Sequence, residues 1–373
     1  MHRLTATTAR VAVALVLSTS PLIHMDAGSV RGDPWHFEHL RLWRAHGIST
    51  GSSIVIGLPD SGVSPHQDFA RNILSGTDIT AKGGGSGQRD QLGHGTGMAG
   101  LIAGHGERNG VTGVAPAAKI LPIRTFRVAP QSHALALGIR WAGTHGAQVI
   151  NVSLTTAPSR DLEDAISLAQ ARDALVIAGS GDSSTGVLLG YPAAMPGVLA
   201  VGALGRDGEH ADFSVTGPKV EICAPGVGLV TTGPDGDYRE VDGTSAATAI
   251  VSGAAALVRS KFPALSAPEV VHRLTATATD IGPPGRDDEC GHGALNIVKA
   301  LTADIPRASA EPPTPEPPAP GPPTLGPAAA APPAGQPGSR RFLTVAAVST
   351  VVATTGAVLA YLASTRPRTR RRP

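Results

Sequence analysis

Between residues 53 and 276 the chain alternates two kinds of apolar pattern. Ser53–Leu58, Lys119–Ile123, Gln148–Leu154, Ala174–Ala178, Val198–Leu204 and Val220–Cys223 are short runs rich in Val, Ile and Ala, bounded by Gly, Pro or Asp. Runs of that length without polar alternation read as strands buried inside a parallel sheet. Thr96–Gly104, Ser132–Thr144, Arg160–Ala171, Ser245–Phe262 and Ala267–Ala276 read as helices. Alternation of this kind predicts an α/β fold with helices layered on a mainly parallel central sheet, and in such sheets ligands gather at the carboxyl ends of the strands. The helix over Ser245–Phe262 is almost wholly small and apolar, so it is expected to run buried through the domain.

The two ends break the pattern. Residues 1–27 carry Arg3 and Arg10, then the apolar run Val11–Leu17 and small residues, the arrangement of a signal segment, with Ala27 a candidate cleavage position. Residues 306–341 are dominated by Pro and Ala with no periodic apolar face, and read as a linker. Extended as polyproline at ~3.1 Å per residue, such a stalk reaches on the order of 100 Å. Residues 342–363 carry no charge and suffice to cross a ~30 Å hydrocarbon layer at ~1.5 Å per residue. Arg340 and Arg341 precede this expected transmembrane helix; Arg366, Arg368, Arg370, Arg371 and Arg372 follow it within the tail 364–373. The positive-inside bias puts that tail in the cytoplasm and the body, residues 28–305, outside. The expected location is therefore the cell membrane, single-pass, with the folded domain extracytoplasmic.

Composition narrows the function. Aromatic residues at 3 % are too few for stacking platforms, and a formal net charge of +2 with no basic stripe across the body argues against nucleic acid as a partner. Two cysteines exclude a disulfide scaffold and a Cys-only zinc site, and are compatible with one bridge.

Three segments carry chemistry. Ser53–Gly62 places Asp60 just past an expected strand, ahead of a Gly-containing turn. Gly93-His94-Gly-Thr-Gly-Met-Ala-Gly100 opens a helix with a histidine whose flanking glycines leave its ring accessible. Gly95, Gly97 and Gly100 also fit a dinucleotide fingerprint, but that motif needs a hydrophobic strand directly before it, and Lys82–Gln91 is polar and Gly-rich. Asp242-Gly-Thr-Ser245-Ala-Ala leads into the buried helix, where a hydroxyl alone would read as an N-cap. Together the three imply more. A serine hydroxyl becomes a nucleophile when an imidazole takes its proton and a carboxylate fixes the imidazole's tautomer. The N-terminus of a buried helix then offers positive potential to a developing oxyanion.

With Asp60, His94 and Ser245 in the order Asp, His, Ser, the chain resembles the subtilisin-like serine proteases, or subtilases, over about residues 33–302. Asp60-Ser-Gly and His66-Gln-Asp-Phe69 are similar to the family's aspartate region, Gly93-His-Gly-Thr to its histidine motif and Gly243-Thr-Ser-Ala-Ala to its serine motif. Gly113-Val-Ala-Pro116, Val149–Leu154, Tyr191-Pro-Ala193, Val201-Gly-Ala203, Phe213-Ser214 and Ala224-Pro-Gly226 match further family segments in order. The resemblance implies a three-layer subtilisin-like fold, with Asp60 as orienter, His94 as general base and acid, and Ser245 as nucleophile. The layout of leader, catalytic domain, stalk, span and basic tail, with Asp33–Leu40 ahead of the first motif, resembles the mycosins, the membrane-anchored subtilases that accompany type VII secretion in actinobacteria.

The departures from the family are specific. Asp182, in Ala178-Gly-Ser-Gly-Asp182, stands where the family's oxyanion donor is usually Asn, leaving the Ser245 backbone N–H as the other donor. An ionised carboxylate accepts hydrogen bonds only, so a slow or acid-favouring protease is expected. Thr155 replaces the Gly that usually follows Ser153-Leu154 on the edge implied to pair with substrate, and Gly179 is a further residue the resemblance implies for substrate binding; a branched residue at 155 narrows the cleft. Gly97 stands where secreted subtilisins often carry a second His, and Pro59 precedes the aspartate. Outside the membrane a Cys223–Cys290 bridge is expected, the alternative being two buried thiols. No cofactor is expected, and no metal: Asp287–Glu289 reads as a solvated turn, although subtilases often bind calcium. The expected function is a membrane-anchored endopeptidase that cuts a protein or peptide substrate in association with a type VII secretion complex. The alternative is a weak or inactive subtilase-shaped subunit of such a complex.

Overall fold

The computed structural model describes residues 35–306 apart from 81–83, 107–108, 185 and 187. The expected signal segment, nearly all of the linker, the span and the basic tail lie outside the described residues. No helix among the described residues is long and apolar enough to cross a membrane.

Seven strands form one parallel sheet: β1 Val55–Asp60, β2 Thr77–Asp78, β3 Lys119–Arg124, β4 Val149–Val152, β5 Leu175–Gly179, β6 Leu199–Leu204 and β7 Val220–Pro225, in the order β2-β3-β1-β4-β5-β6-β7. The chain enters at β1, builds outward to β3, then returns across β1 to add β4 and its successors on the other side. The sheet thus has a topological switch point between β1 and β4, where α/β proteins place their sites. Beside it, β8 Leu229–Thr232 and β9 Tyr238–Val241 form an antiparallel hairpin.

The helices are α1 Trp35–Leu40, α2 Leu42–His46, α3 His94–Ala103, α4 Ser132–Thr144, α5 Arg160–Ala171, α6 Thr244–Lys261, α7 Ala267–Ala276 and α8 Ile297–Thr302. Successive residues of β5 show why the sheet needs two covering layers. Leu175 and Ile177 join the core beneath α3 and α6, while Val176 and Ala178 join the core beneath α4 and α5. α6 is buried almost along its whole length, which its small residues permit, and it crosses β4 to β7.

Local signals set several boundaries. Ser159 accepts a hydrogen bond from the Leu162 N–H at the start of α5, and Ser266 with Glu269 forms a capping box at α7. β1 runs two residues further than the apolar pattern suggests, so Asp60 is its last residue and does not lie past it. Pro59 lacks a donor N–H, but at that end β1 is paired only with β3, so no ladder bond to β4 is lost. α3 begins at His94, two residues before the expected start. The hairpin, β2 and the short α1, α2 and α8 were not expected from the pattern.

A disulfide joins Cys223 in β7 to Cys290, both buried, 67 residues apart in sequence. Closing a loop of that size removes roughly 4 kcal/mol of unfolded-state entropy. Replacing both cysteines with Ala is expected to lower stability by an amount of that order, read as a fall in Tm that reductant reproduces in the parent protein.

Candidate active site

The carboxyl ends of β1, β4 and β5 converge on the first turns of α3 and α6. Asp60 ends β1 fully buried. Its Oδ1 accepts the Ser61 backbone N–H at 2.6 Å, and His94 Nδ1 lies 2.8 Å from Oδ1 and 3.0 Å from Oδ2. The pair fixes the imidazole with Nδ1 protonated and Nε2 free to accept. The His94 side chain is 23 % exposed, so one edge of the ring reaches the cleft. Burial works to lower the His94 pKa, but the charge of Asp60 and its hydrogen bond outweigh it and raise the value above 6.5, with Asp90 adding to the rise and Arg239 opposing it.

Asp90 has a role that its sequence position does not announce. Its Oδ1 accepts the Leu92 and Gly93 N–H groups at 3.0 and 2.8 Å, and its Oδ2 accepts the N–H and hydroxyl of Thr96 at 2.9 and 2.7 Å. It therefore caps α3 from outside the helix, which lets α3 open on Gly93 and His94 with no capping side chain of its own. Gly95 is required beneath the pair: a Cβ there would meet the Gly62 carbonyl and stand 3.1 Å from the Cβ of Asp60.

The hairpin grips α3 from the far side, Thr231 Oγ1 donating to the Gly97 carbonyl at 2.6 Å and Thr232 Oγ1 to the Thr96 carbonyl at 2.7 Å. A Cβ on Gly100 would stand 2.7 Å from the first of these hydroxyls and closer still to the second. Gly100→Ala is accordingly expected to lower stability by roughly 1–3 kcal/mol, checked by thermal or denaturant melts.

Ser245 is the second residue of α6, and Gly243, not Ser245, is the N-cap. Its hydroxyl is not spent on capping: it donates to the Ser153 carbonyl at 3.0 Å, while Ser153 Oγ donates to the Ser245 carbonyl at 2.9 Å. Ser153 is held by Asn151 Nδ2 at 2.9 Å, and Asn151 Oδ1 accepts from Ser252 of α6 at 2.9 Å. This chain of buried polar groups fixes the end of β4 against α6. In the resting arrangement no hydrogen bond joins Ser245 to His94.

Asp182 links the two halves. Its Oδ1 accepts the Thr244 backbone N–H at 3.0 Å and the Thr244 hydroxyl at 2.9 Å, immediately before Ser245. Burial pushes its pKa up from 3.8 against those two bonds and against the nearby His94, and Asp242 pushes it further up. Its Oδ2 faces Gly243, where a Cβ would stand 3.1 Å away. The other residues of the expected cleft fall around this point. Gly179 ends β5 under the first turn of α6, where a Cβ would stand 3.0 Å from Thr244 Oγ1. Ser153, Leu154 and Thr155 follow the end of β4, and the Thr155 methyl fills the gap between Gly181 and Gly190, 3.5 and 2.5 Å from where their Cβ atoms would be. Asp60 and His94 are thus brought into direct contact, and Asp182 is brought to the turn that carries Ser245. Among the described residues no group of three or more His, Cys, Asp or Glu side chains could hold a metal ion.

The sheet therefore carries a buried Asp60–His94 contact at the end of β1 and, beyond the end of β4, Ser245 in the first turn of the buried α6. The subtilase family model matches residues 51–293, and the chain belongs to that family. It is a subtilisin-like serine endopeptidase. Subtilisin Savinase of Lederbergia lenta is 38 % identical over 253 residues, covering 67 % of this chain and 92 % of the relative. Among solved structures, MycP1 with its N-terminal propeptide removed superposes with a TM-score of 0.68 at 31 % identity, over 74 % of this chain and 99 % of the other. The MycP3 protease from the type VII (ESX-3) secretion system gives 0.67 at 32 % identity, over 76 % and 91 %. The structural neighbours therefore point to the mycosin subgroup.

Proposed function

We propose that this chain cleaves an exported protein through an acyl-enzyme, with Ser245 as nucleophile, His94 as general base and then general acid, and Asp60 as the group that orients His94. The observation that carries this reading is the buried Asp60 at 2.8 Å from His94 Nδ1, which leaves Nε2 as the acceptor on the open edge of the ring. Ser245 enters the reaction by rotating away from the Ser153 carbonyl, since catalytic hydrogen bonds commonly tighten only when substrate is bound. Substrate lies along Ser153–Thr155, with Asp182 and the Ser245 N–H at the oxyanion. By likeness to MycP1 and MycP3, the protease works beside a type VII secretion complex, tethered by residues 342–363.

A serine-directed phosphonate probe tests the assignment. Labelling of the full chain that disappears in Ser245→Ala supports it, and labelling that persists in that variant removes Ser245 from the mechanism. Asp182 favours a second reading, a weak or inactive structural subunit, because an ionised carboxylate in the place of an oxyanion donor accepts hydrogen bonds and does not donate them. Absence of labelling from pH 4 to 9 would support that second reading.

The position of Thr155 leads to a specificity prediction. Thr155→Gly is expected to open the gap between Gly181 and Gly190 and raise kcat/KM for a peptide with Phe at the acyl residue, relative to one with Ala, by about 10-fold or more. An unchanged ratio would remove Thr155 from the specificity pocket.

A further inference from the structure

One half-buried cation beside the base has no place in the mechanism above. Arg239 lies on β9 with Thr231 of β8 as its cross-strand partner. Both side chains reach the same turn of α3, Thr231 through its bond to the Gly97 carbonyl. The Arg239 guanidinium occupies the space that two missing side chains leave: Nη1 is 2.9 Å from where a Cβ on Gly93 would stand, and Nη2 is 3.0 Å from the equivalent point on Gly97. Gly93 and Gly97 are four residues apart, so they share the face of α3 next to His94.

The guanidinium is poorly compensated. Nη1 donates to the Leu92 carbonyl at 3.3 Å, and Nε is buried without a partner. The nearby carboxylates are engaged elsewhere: Asp90 takes four donors from the α3 cap, and Asp60 takes Ser61 and His94. A cation at a helix N-terminus also faces the positive end of the helix dipole. Partly desolvated charge in that position opposes stability, so its effect is to be sought in the group beside it.

We propose that Arg239 is a positioning residue for the base: laid across the turn that carries His94, its charge disfavours the imidazolium and extends the neutral, proton-accepting imidazole to lower pH. Four charged groups bear on His94. Asp60 at the end of β1 and Asp90 before α3 favour the imidazolium, and so does Asp182 beyond β5 when ionised, whereas among the described residues Arg239 on β9 alone opposes it. The pair with Asp60 fixes the tautomer, and Arg239 offsets the rise in basicity that comes with it. The proposal rests on His94 being the base, but its test does not depend on turnover.

The test is a titration of His94 by NMR in the full chain, 15N-labelled at histidine and carrying Ser245→Ala, with Arg239, Arg239→Gln and Arg239→Lys compared. The His94 signal is assigned by its loss in His94→Gln. Arg239→Gln is expected to raise the His94 midpoint by roughly 0.5–1 unit, the scale of one like charge across partly solvated protein, and Arg239→Lys to restore most of it. With Ser245 present and Asp182→Asn as the common background, the acid limb of kcat/KM should move up by the same amount while the alkaline plateau stays within about three-fold. An unmoved or lowered midpoint in Arg239→Gln overturns the proposal. So does a Lys variant that matches Gln in its titration, because the guanidinium would then serve only to fill space. A shifted titration with no turnover or labelling in any variant upholds the action of Arg239 on the His94 proton and removes the catalytic assignment of His94.

Discussion

Asp60→Asn is expected to slow phosphonate labelling and peptide turnover by about 10⁴-fold near neutral pH while leaving the melting transition close to that of the parent. The reason lies in which oxygen does what. Oδ1 accepts the Ser61 N–H at 2.6 Å, so the amide of the variant must keep its oxygen there. Its NH₂ then falls where Oδ2 stands, 3.0 Å from His94 Nδ1. With its proton on Nδ1 the ring keeps only the shared carbonyl oxygen at 2.8 Å and meets the new NH₂ as a second donor, so the tautomer with its proton on Nε2, whose Nδ1 accepts from that NH₂, is favoured. A ring in that tautomer cannot take the proton of Ser245. If the variant labels at the parental rate, Asp60 does not set the tautomer and the mechanism fails at its first step.

The second large effect has the opposite sign. Asp182→Asn is expected to raise turnover at neutral pH by roughly 10²–10³-fold, the worth of one oxyanion donor. Oδ1 of the new amide keeps both bonds from Thr244, and the NH₂ replaces Oδ2, so an acceptor becomes a donor with little movement. In the parent protein the same donor exists only while Asp182 is protonated. His94 must be neutral in that same molecule. Activity therefore requires a pH above the His94 pKa, itself above 6.5, and below that of Asp182, which burial raises from 3.8. Wherever the carboxylic acid titrates below the imidazole, the competent form is a minor species at every pH. The parent profile should be a low bell, and the Asn variant should show a single limb rising through the His94 pKa to a plateau. A variant that is no faster at neutral pH, with an unchanged profile, would exclude Asp182 from the oxyanion site.

How much of this was readable in the chain depends on where each element keeps its stabilising contacts. α4, α5 and α7 fall on the predicted residues because their apolar faces are regular and, for α5 and α7, Ser159 and the Ser266–Glu269 box mark the start within the element itself. α3 starts two residues before its apolar pattern does because its cap, Asp90, stands outside the helix behind a glycine. The hairpin has no apolar pattern of its own to announce it, since Thr231 and Thr232 look like solvent-facing residues yet bond the α3 backbone. Arg239, in a polar turn region, likewise reads as surface until Gly93 and Gly97 are seen to make room for it. The Asp–His pair was legible from its motifs, and the resting bond of Ser245 to Ser153 was not, since it joins segments 92 residues apart.

The Cys223–Cys290 bridge encloses the hairpin and the whole of α6 in one covalent ring. The tip of the hairpin, Asp235 and Gly236, is exposed and is the kind of site where an endopeptidase nicks a neighbouring copy of itself. A cut there opens the ring without releasing a fragment. Autolysis would therefore leave a single band on a non-reducing gel and two after thiol treatment, and the nicked molecules would migrate with the intact ones until reduced.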